Sequence, residues 1–133
     1  MALRWYTTVI DSKDPKTLSS WWAQALDWQT VYESDDECVI VPGWVKPDDL
    51  AKTPWEQIGP GLVFVSVPEA KQSKNRLHID LAPHTSQDRD AEIARLEQLG
   101  ARRVDIGQGD DVSWTVLTDP EGNEFCVLSS RDQ

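Results

Sequence analysis

The sequence predicts an α+β fold of two tandem β-α-β-β-β modules, and three observations predict it. Short β-branched and aromatic runs alternate with turn signals along the whole chain. Each half holds one stretch with a helical apolar stripe. The phrases LDWQTV (26–31) and LGARRV (99–104) occupy the same place at the two helix exits.

Residues 3–10, LRWYTTVI, read as the first strand. Asp14 can accept backbone N–H bonds as an N-cap, and Pro15 suits the first helical position. Leu18, Trp21, Trp22, Ala25 and Leu26 then fall at i, i+3, i+4, i+7 and i+8 and form one apolar stripe. A helix with two Trp on its buried face must pack on a sheet. Strands 28–33 (WQTVYE) and 37–42 (ECVIVP) follow, parted by Ser34-Asp35-Asp36. Residues 43–60 carry three Pro and two Gly among polar residues and read as a long surface excursion, a kind of loop often tied to function. Residues 61–67, GLVFVSV, close the first module, which spans about 1–67.

The second module, about 74–133, repeats the order. Strand 77–82 (LHIDLA) leads to a helix from about Gln87 to Leu99, with Ile93, Leu96 and Leu99 inward and Gly100 as its stop. Strands 102–106, 113–118 and 124–128 complete it, the last two joined by the turn DPEGN (119–123). Pro120 sets that turn and Gly122 accepts its positive φ, so Asp119 and Glu121 read as structural.

At 133 residues the chain suffices for one domain, 1–133, with a real core, and is too short for two ordinary ones. No apolar run approaches the length of a membrane span. MALRWYTTVID has no apolar stretch or cleavage site of a signal peptide, so a cytoplasmic location is expected. Cys38 and Cys126 make no disulfide framework and are expected as reduced thiols. A net charge of −10 repels polyanions, which argues against nucleic acid and anionic membrane as partners.

The segments DPKTLSSWWAQALDW (14–28), KNRLHIDLAP (74–83), ARLEQLGARRV (94–104) and SWTVLTDPEGNEFCVL (113–128) resemble the vicinal-oxygen-chelate superfamily, specifically its glyoxalase-like domain proteins. NRLHIDL together with a C-terminal DPEGNEF hairpin carries the resemblance, which covers nearly the whole chain except the 43–60 segment. It implies an eight-stranded curved mixed sheet around a cleft, with the helices outside, and a homodimer.

The resemblance also implies four metal ligands on the sheet, from the first, fourth, fifth and eighth strands. In this chain those positions fall on Thr7, a poor ligand; near Phe64 to Ser66, which offer no carboxylate or imidazole; on His78, which fits; and on Cys126, where Glu is usual. Hard divalent ions prefer oxygen and imidazole donors, typically three or more. No metal and no cofactor is therefore expected, although strand alternation puts Asp80 with His78 and Glu124 with Cys126, making a His78/Asp80/Glu124 cluster conceivable.

Alternation places Leu77, Ile79 and Leu81 toward the helix and His78 and Asp80 toward the cleft. A histidine there can contact a ligand, act as a general base, or serve structurally through a backbone carbonyl. His84, after Pro83, reads as a solvated loop residue. On the first strand Trp5, Thr7 and Val9 share the ligand face, with Tyr6, Thr8 and Ile10 toward the helix. Pairing through the DPEGN hairpin puts Trp114 on the Cys126 face. Trp44 and Trp55 lie in the 43–60 segment, placed to fold over the cleft. The expected ligand-binding residues are thus Trp5, Thr7, Trp44, His78, Asp80, Trp114 and Cys126, an aromatic small-molecule cleft with a few polar groups. Two readings follow: a small-molecule-binding protein for ligand sequestration or resistance with an incomplete metal site, or a metal-dependent or acid–base enzyme such as a lyase, isomerase or dioxygenase.

Overall fold

A computed structural model describes residues 2–105 and 113–133. The expected end of the strand at Ile106 lies outside the described residues. The chain divides into two compact units, 1–70 and 71–133. Among the described residues each holds a four-stranded mixed sheet in β-α-β-β-β order, so the α+β class is present with four strands to a unit.

In the first unit β1 (Thr7–Ser12), α1 (Pro15–Leu26), β2 (Trp28–Glu33), β3 (Glu37–Pro42) and β4 (Gly61–Ser66) give the strand order β1-β4-β3-β2, with β1 and β4 parallel. Pairing puts Ile10 beside Phe64, Cys38 beside Phe64 and Ile40 beside Leu62. That face holds the fully buried Cys38, Ile40 and Phe64, and the α1 stripe of Leu18, Trp21, Trp22 and Ala25 is buried with it. Asp14 caps α1: its Oδ1 accepts from the Thr17 backbone N–H at 3.3 Å and its Oδ2 from the Thr17 hydroxyl at 2.7 Å. Val31 forms a bulge between β2 and β3.

β1 begins at Thr7, four residues later than the sequence suggests. Its parallel partner starts at Gly61, and the preceding Pro60 has no N–H to offer a ladder. Trp5 and Tyr6 therefore precede the strand and are exposed, and Tyr6 does not face the helix as alternation implied. The 43–60 segment also departs from a plain loop. Pro47 suits a first helical position, Asp48 and Asp49 in the first turn and Lys52 in the last match the helix dipole, and α2 forms over Pro47–Lys52. A short 3₁₀ turn follows at Trp55–Gln57.

In the second unit β5 (Ile79–Leu81), α3 (Arg89–Leu99), β6 (Arg102–Arg103), β7 (Thr115–Thr118) and β8 (Glu124–Val127) give the order β5-β8-β7-β6, with β5 and β8 parallel. Helix α3 starts at Arg89 because Asp88 takes the cap: its Oδ1 accepts from the N–H groups of Asp90 and Ala91 at 3.0 and 3.2 Å. Gly100, at φ 119°, ends the helix as expected. Arg89 ties the helix to the sheet, donating through Nε to Leu128 O and through Nη2 to Val127 O and the Thr115 hydroxyl, each at 2.9 Å. The Thr115 side chain thus marks the helix side of the sheet. Alternation and register place Leu117, Phe125, Val127, Ile79 and Leu81 on that side, and Val116, Cys126, Asp80 and Glu124 on the other.

Leu77, expected in the core, is 88% exposed. Ile79 pairs with Phe125, so Leu77 would have to pair with Asn123, which belongs to the turn and offers no ladder. The strand therefore opens at Ile79.

Candidate functional site

The face of the second sheet turned away from α3 gathers three groups of different chemistry. Asp80 stands opposite Cys126 in the β5–β8 register, and His78 lies one alternation earlier. His78 Nε2 is 3.1 Å from Asp80 Oδ1. The donor atoms of His78, Asp80 and Cys126 all lie within 4.8 Å of one another. The imidazole and carboxylate are open, with side chains 41% and 48% exposed, while Cys126 at 5% sits beneath them. Burial pushes the Cys126 thiol up; the Asp80 charge and a hydrogen bond to Asp80 push the same way, against a smaller opposing pull from Lys74.

Glu124, the third member of the cluster expected from the sequence, is engaged elsewhere. Its Oε1 accepts from Lys71 Nζ at 2.8 Å and its Oε2 from the Asn75 backbone N–H at 3.1 Å. Burial raises its carboxyl, but the Lys71 ammonium and backbone N–H groups outweigh that and hold it below the ordinary range. Asn75 Nδ2 also donates to Asn123 Oδ1 at 2.9 Å, and Asn123 Nδ2 donates to both oxygens of the buried Asp119. The 71–76 segment that leads into His78 is thereby laced to the DPEGN turn by side chains. Sequence inspection missed these partners because Lys71 and Glu124 are 53 residues apart; the only local hint is the basic run EAKQSKNR.

Continuing alternation back from Val116 puts Trp114 on the Cys126 face, and it is 39% exposed. The remaining expected residues, Trp5, Thr7 and Trp44, belong to the first unit. The Trp5 indole N–H donates to Thr7 O at 3.2 Å, and the Thr7 hydroxyl donates to Gly61 O at 3.1 Å. Trp44 is 74% exposed at the turn after β3. Trp55 stacks on Arg4, whose guanidinium carbon lies 4.7 Å from the Trp55 and Tyr6 ring centres alike. His84 bonds the Ser86 hydroxyl locally at 2.7 Å, as a surface loop residue does.

The oxygen-rich donor set that the resemblance implies does not fit this chain. Thr7 spends its hydroxyl proton on a backbone carbonyl, and β4 offers Phe64, Val65 and Ser66. What the second unit supplies is one nitrogen, one oxygen and one sulfur donor, a set unsuited to hard ions such as Mg²⁺ or Ca²⁺.

No curated protein matches the chain. Solved structures match it along almost its whole length at low identity. A glyoxalase/bleomycin resistance protein/dioxygenase family enzyme from Burkholderia phytofirmans PsJN superposes with a TM-score of 0.69 at 15% identity, covering 96% of this chain and 98% of that one. The fosfomycin resistance protein FosX from Mesorhizobium loti gives 0.64 at 14%, over 96% and 92%. FosX from Listeria monocytogenes, in complex with Mn(II) and sulfate ion, gives 0.68 at 12%, over 98% and 92%. The profile of the glyoxalase-like domain matches residues 7–128. With that match over the two β-α-β-β-β units, the chain belongs to the glyoxalase-like domain family.

Proposed function

We propose that the protein binds a small molecule on the face of the second sheet that carries His78, Asp80, Cys126 and Trp114, and that it acts by sequestering that molecule. The observation that carries this reading is the convergence of an open imidazole and an open carboxylate over the buried Cys126. Polar groups beside a half-exposed indole suit a ligand with one apolar face and one hydrogen-bonding edge. Trp5, Thr7 and Trp44 are proposed as further ligand contacts. The two units are proposed to work as one domain, 1–133, in a cytoplasmic homodimer, in keeping with family resemblance and with two free, buried thiols. Among the described residues no helix is long and apolar enough to cross a membrane. Neither nucleic acid nor membrane is proposed as a partner of so acidic a chain.

The test is a thermal-shift and tryptophan-fluorescence screen against metabolites and antibiotics, fosfomycin among them. A ligand that binds only the folded chain raises the melting temperature and quenches Trp emission. A full panel without a shift overturns the reading.

A second reading, an acid–base enzyme of the superfamily, is favoured by the 3.1 Å contact between His78 Nε2 and Asp80 Oδ1. A carboxylate at that distance orients an imidazole for proton transfer. Turnover of a screened ligand, abolished in His78→Ala, separates it from sequestration.

A further inference from the structure

We infer that the ring faces of Tyr6 and Trp55 form a binding site for a small quaternary ammonium ion, and that Arg4 occupies this site in the free chain. The site belongs to the first unit and shares no residue with the face that carries His78, Asp80 and Cys126. Three observations point to it. The Arg4 guanidinium carbon lies over both rings, 4.7 Å from each ring centre. A cation within about 6 Å of a ring centre is attracted by the negative face of the π-system, so one charge placed there feels two faces at once. Both walls are also open to water, with Tyr6 70% and Trp55 49% exposed, so a small ion reaches them without disturbing the core. Finally, Arg4 fits the place imperfectly: its Nε is buried with no hydrogen-bond partner among the described residues.

That unpaired donor selects the ligand. Two aromatic faces attract positive charge but accept no strong hydrogen bond, so an N–H shut between them goes unsatisfied. A quaternary ammonium carries the charge, has no N–H to satisfy, and lays methyl groups on the apolar faces. A primary ammonium is more strongly hydrated and loses more on entering. Displacing Arg4 costs little. Its bond from Nη1 to Trp55 O, at 3.2 Å, lies at the surface, where water can replace it. Its Nε regains a partner in solvent. Arg4 precedes β1, so its side chain swings away without breaking a ladder. Charge favours the same class of ligand, since Glu56 follows Trp55 directly and the chain carries a net charge of −10. Arg4 is thus a tethered competitor, and it lowers apparent affinity by the fraction of chains in which it fills the site.

The experiment titrates choline chloride into the isotope-labelled full chain at constant ionic strength and follows the Trp55 indole N–H and the Arg4 Nε–H by NMR. The Trp55 signal, assigned by its loss in Trp55→Leu, should shift and saturate. The Arg4 signal should move toward that of free arginine with the same midpoint. Neohexyl alcohol, which replaces the ammonium nitrogen of choline by carbon, should shift neither. Arg4→Ala removes the competitor and should tighten choline binding by about two- to fivefold. Tyr6→Leu, read on Trp55, and Trp55→Leu, read on Arg4, each remove one ring and should weaken it by about two- to fivefold. Both positions are exposed, so the leucine variants should keep the fold, and unshifted backbone amides elsewhere check this. Phosphatidylcholine vesicles should sediment without the chain; co-sedimentation would assign the headgroup to a lipid and overturn a free small ion. The site is also overturned by no saturable shift at Trp55, by an equal response to neohexyl alcohol, or by an Arg4 signal that stays in place while choline binds. Arg4→Ala binding no tighter than the unaltered chain, or affinity unchanged in both leucine variants, overturns it as well.

Discussion

Asp80 stands directly across the parallel β5–β8 ladder from Cys126, so a carboxylate and a thiol are held on one face by backbone pairing alone. A slip of either strand by one residue would turn its own member of the pair toward α3. The neighbouring groups are held by side-chain contacts instead, and they respond differently to mutation and pH.

The Lys71–Glu124 pair is the first such contact. Its side chains are only 20% and 10% exposed, so solvent screens it less than a surface pair. Glu124→Gln should lower stability by about 1–3 kcal/mol near neutrality, since Lys71 loses its charged partner. The folded-state carboxyl titrates below its unfolded value, so its contribution is complete above the ordinary carboxylate range and is lost as pH falls through the folded value. Urea midpoints of the two proteins should differ most near neutrality and converge in acid. A gap that widens in acid would refute this sign.

Trp114 tests the ligand face. It is part-exposed on the side of Cys126, so truncation removes contact area without opening a cavity in the α3-facing core of Leu117, Phe125 and Val127. Trp114→Ala should weaken binding of any ligand found in the screen by roughly 1–2 kcal/mol, or about 5- to 30-fold, and leave a cooperative melt. Isothermal titration alongside calorimetric unfolding reads both. Loss of the cooperative transition would make Trp114 a core residue.

The face bearing His78 and Asp80 is legible from the alternation in LHIDL. Helices α1 and α3 are legible from their apolar stripes and from Asp14 and Gly100, which act through neighbours within a few residues. The reading failed where the decisive partner is remote. Leu77 looks like a core residue until the register shows that Asn123 lies in a turn. Glu124 looks like a cluster member until Lys71, 53 positions away, captures it. Helix α2 was hidden by the prolines of this segment, although Pro47 at a helix start is favourable and Pro54 and Pro60 lie beyond the helix end. Cys126, read from the sequence as a cleft residue in place of the family's Glu, lies close to His78 and Asp80, whereas Glu124 is held by Lys71.

Arg89 joins α3 to its sheet through three bonds of 2.9 Å to two carbonyls at the end of β8 and one hydroxyl on β7. Arg89→Met keeps the apolar stem and removes the guanidinium. It should cost roughly 1.5–3 kcal/mol, because bonds to a charged donor are strong and the carbonyls of Val127 and Leu128 lose that donor. Chemical denaturation reads the loss, and a change under about 0.5 kcal/mol would show that water replaces the guanidinium at no cost.

The Tyr6–Arg4–Trp55 stack pins the segment after α2 to the chain ahead of β1, with Arg4 Nη1 also donating to Trp55 O at 3.2 Å. The contact lies at the surface, where a cation–π pair contributes about 0.5–1 kcal/mol, so its role is local ordering rather than global stability. Trp55→Ala should therefore leave the unfolding midpoint within about 1 kcal/mol of the unaltered chain while speeding proteolysis within 43–60. Limited digestion followed by mass mapping of the cut sites distinguishes the outcomes. Cleavage rates in this segment that match the unaltered chain would mean that α2 and the bonds from Gln29 Nε2 to Pro42 O and Val45 O hold it without the stack.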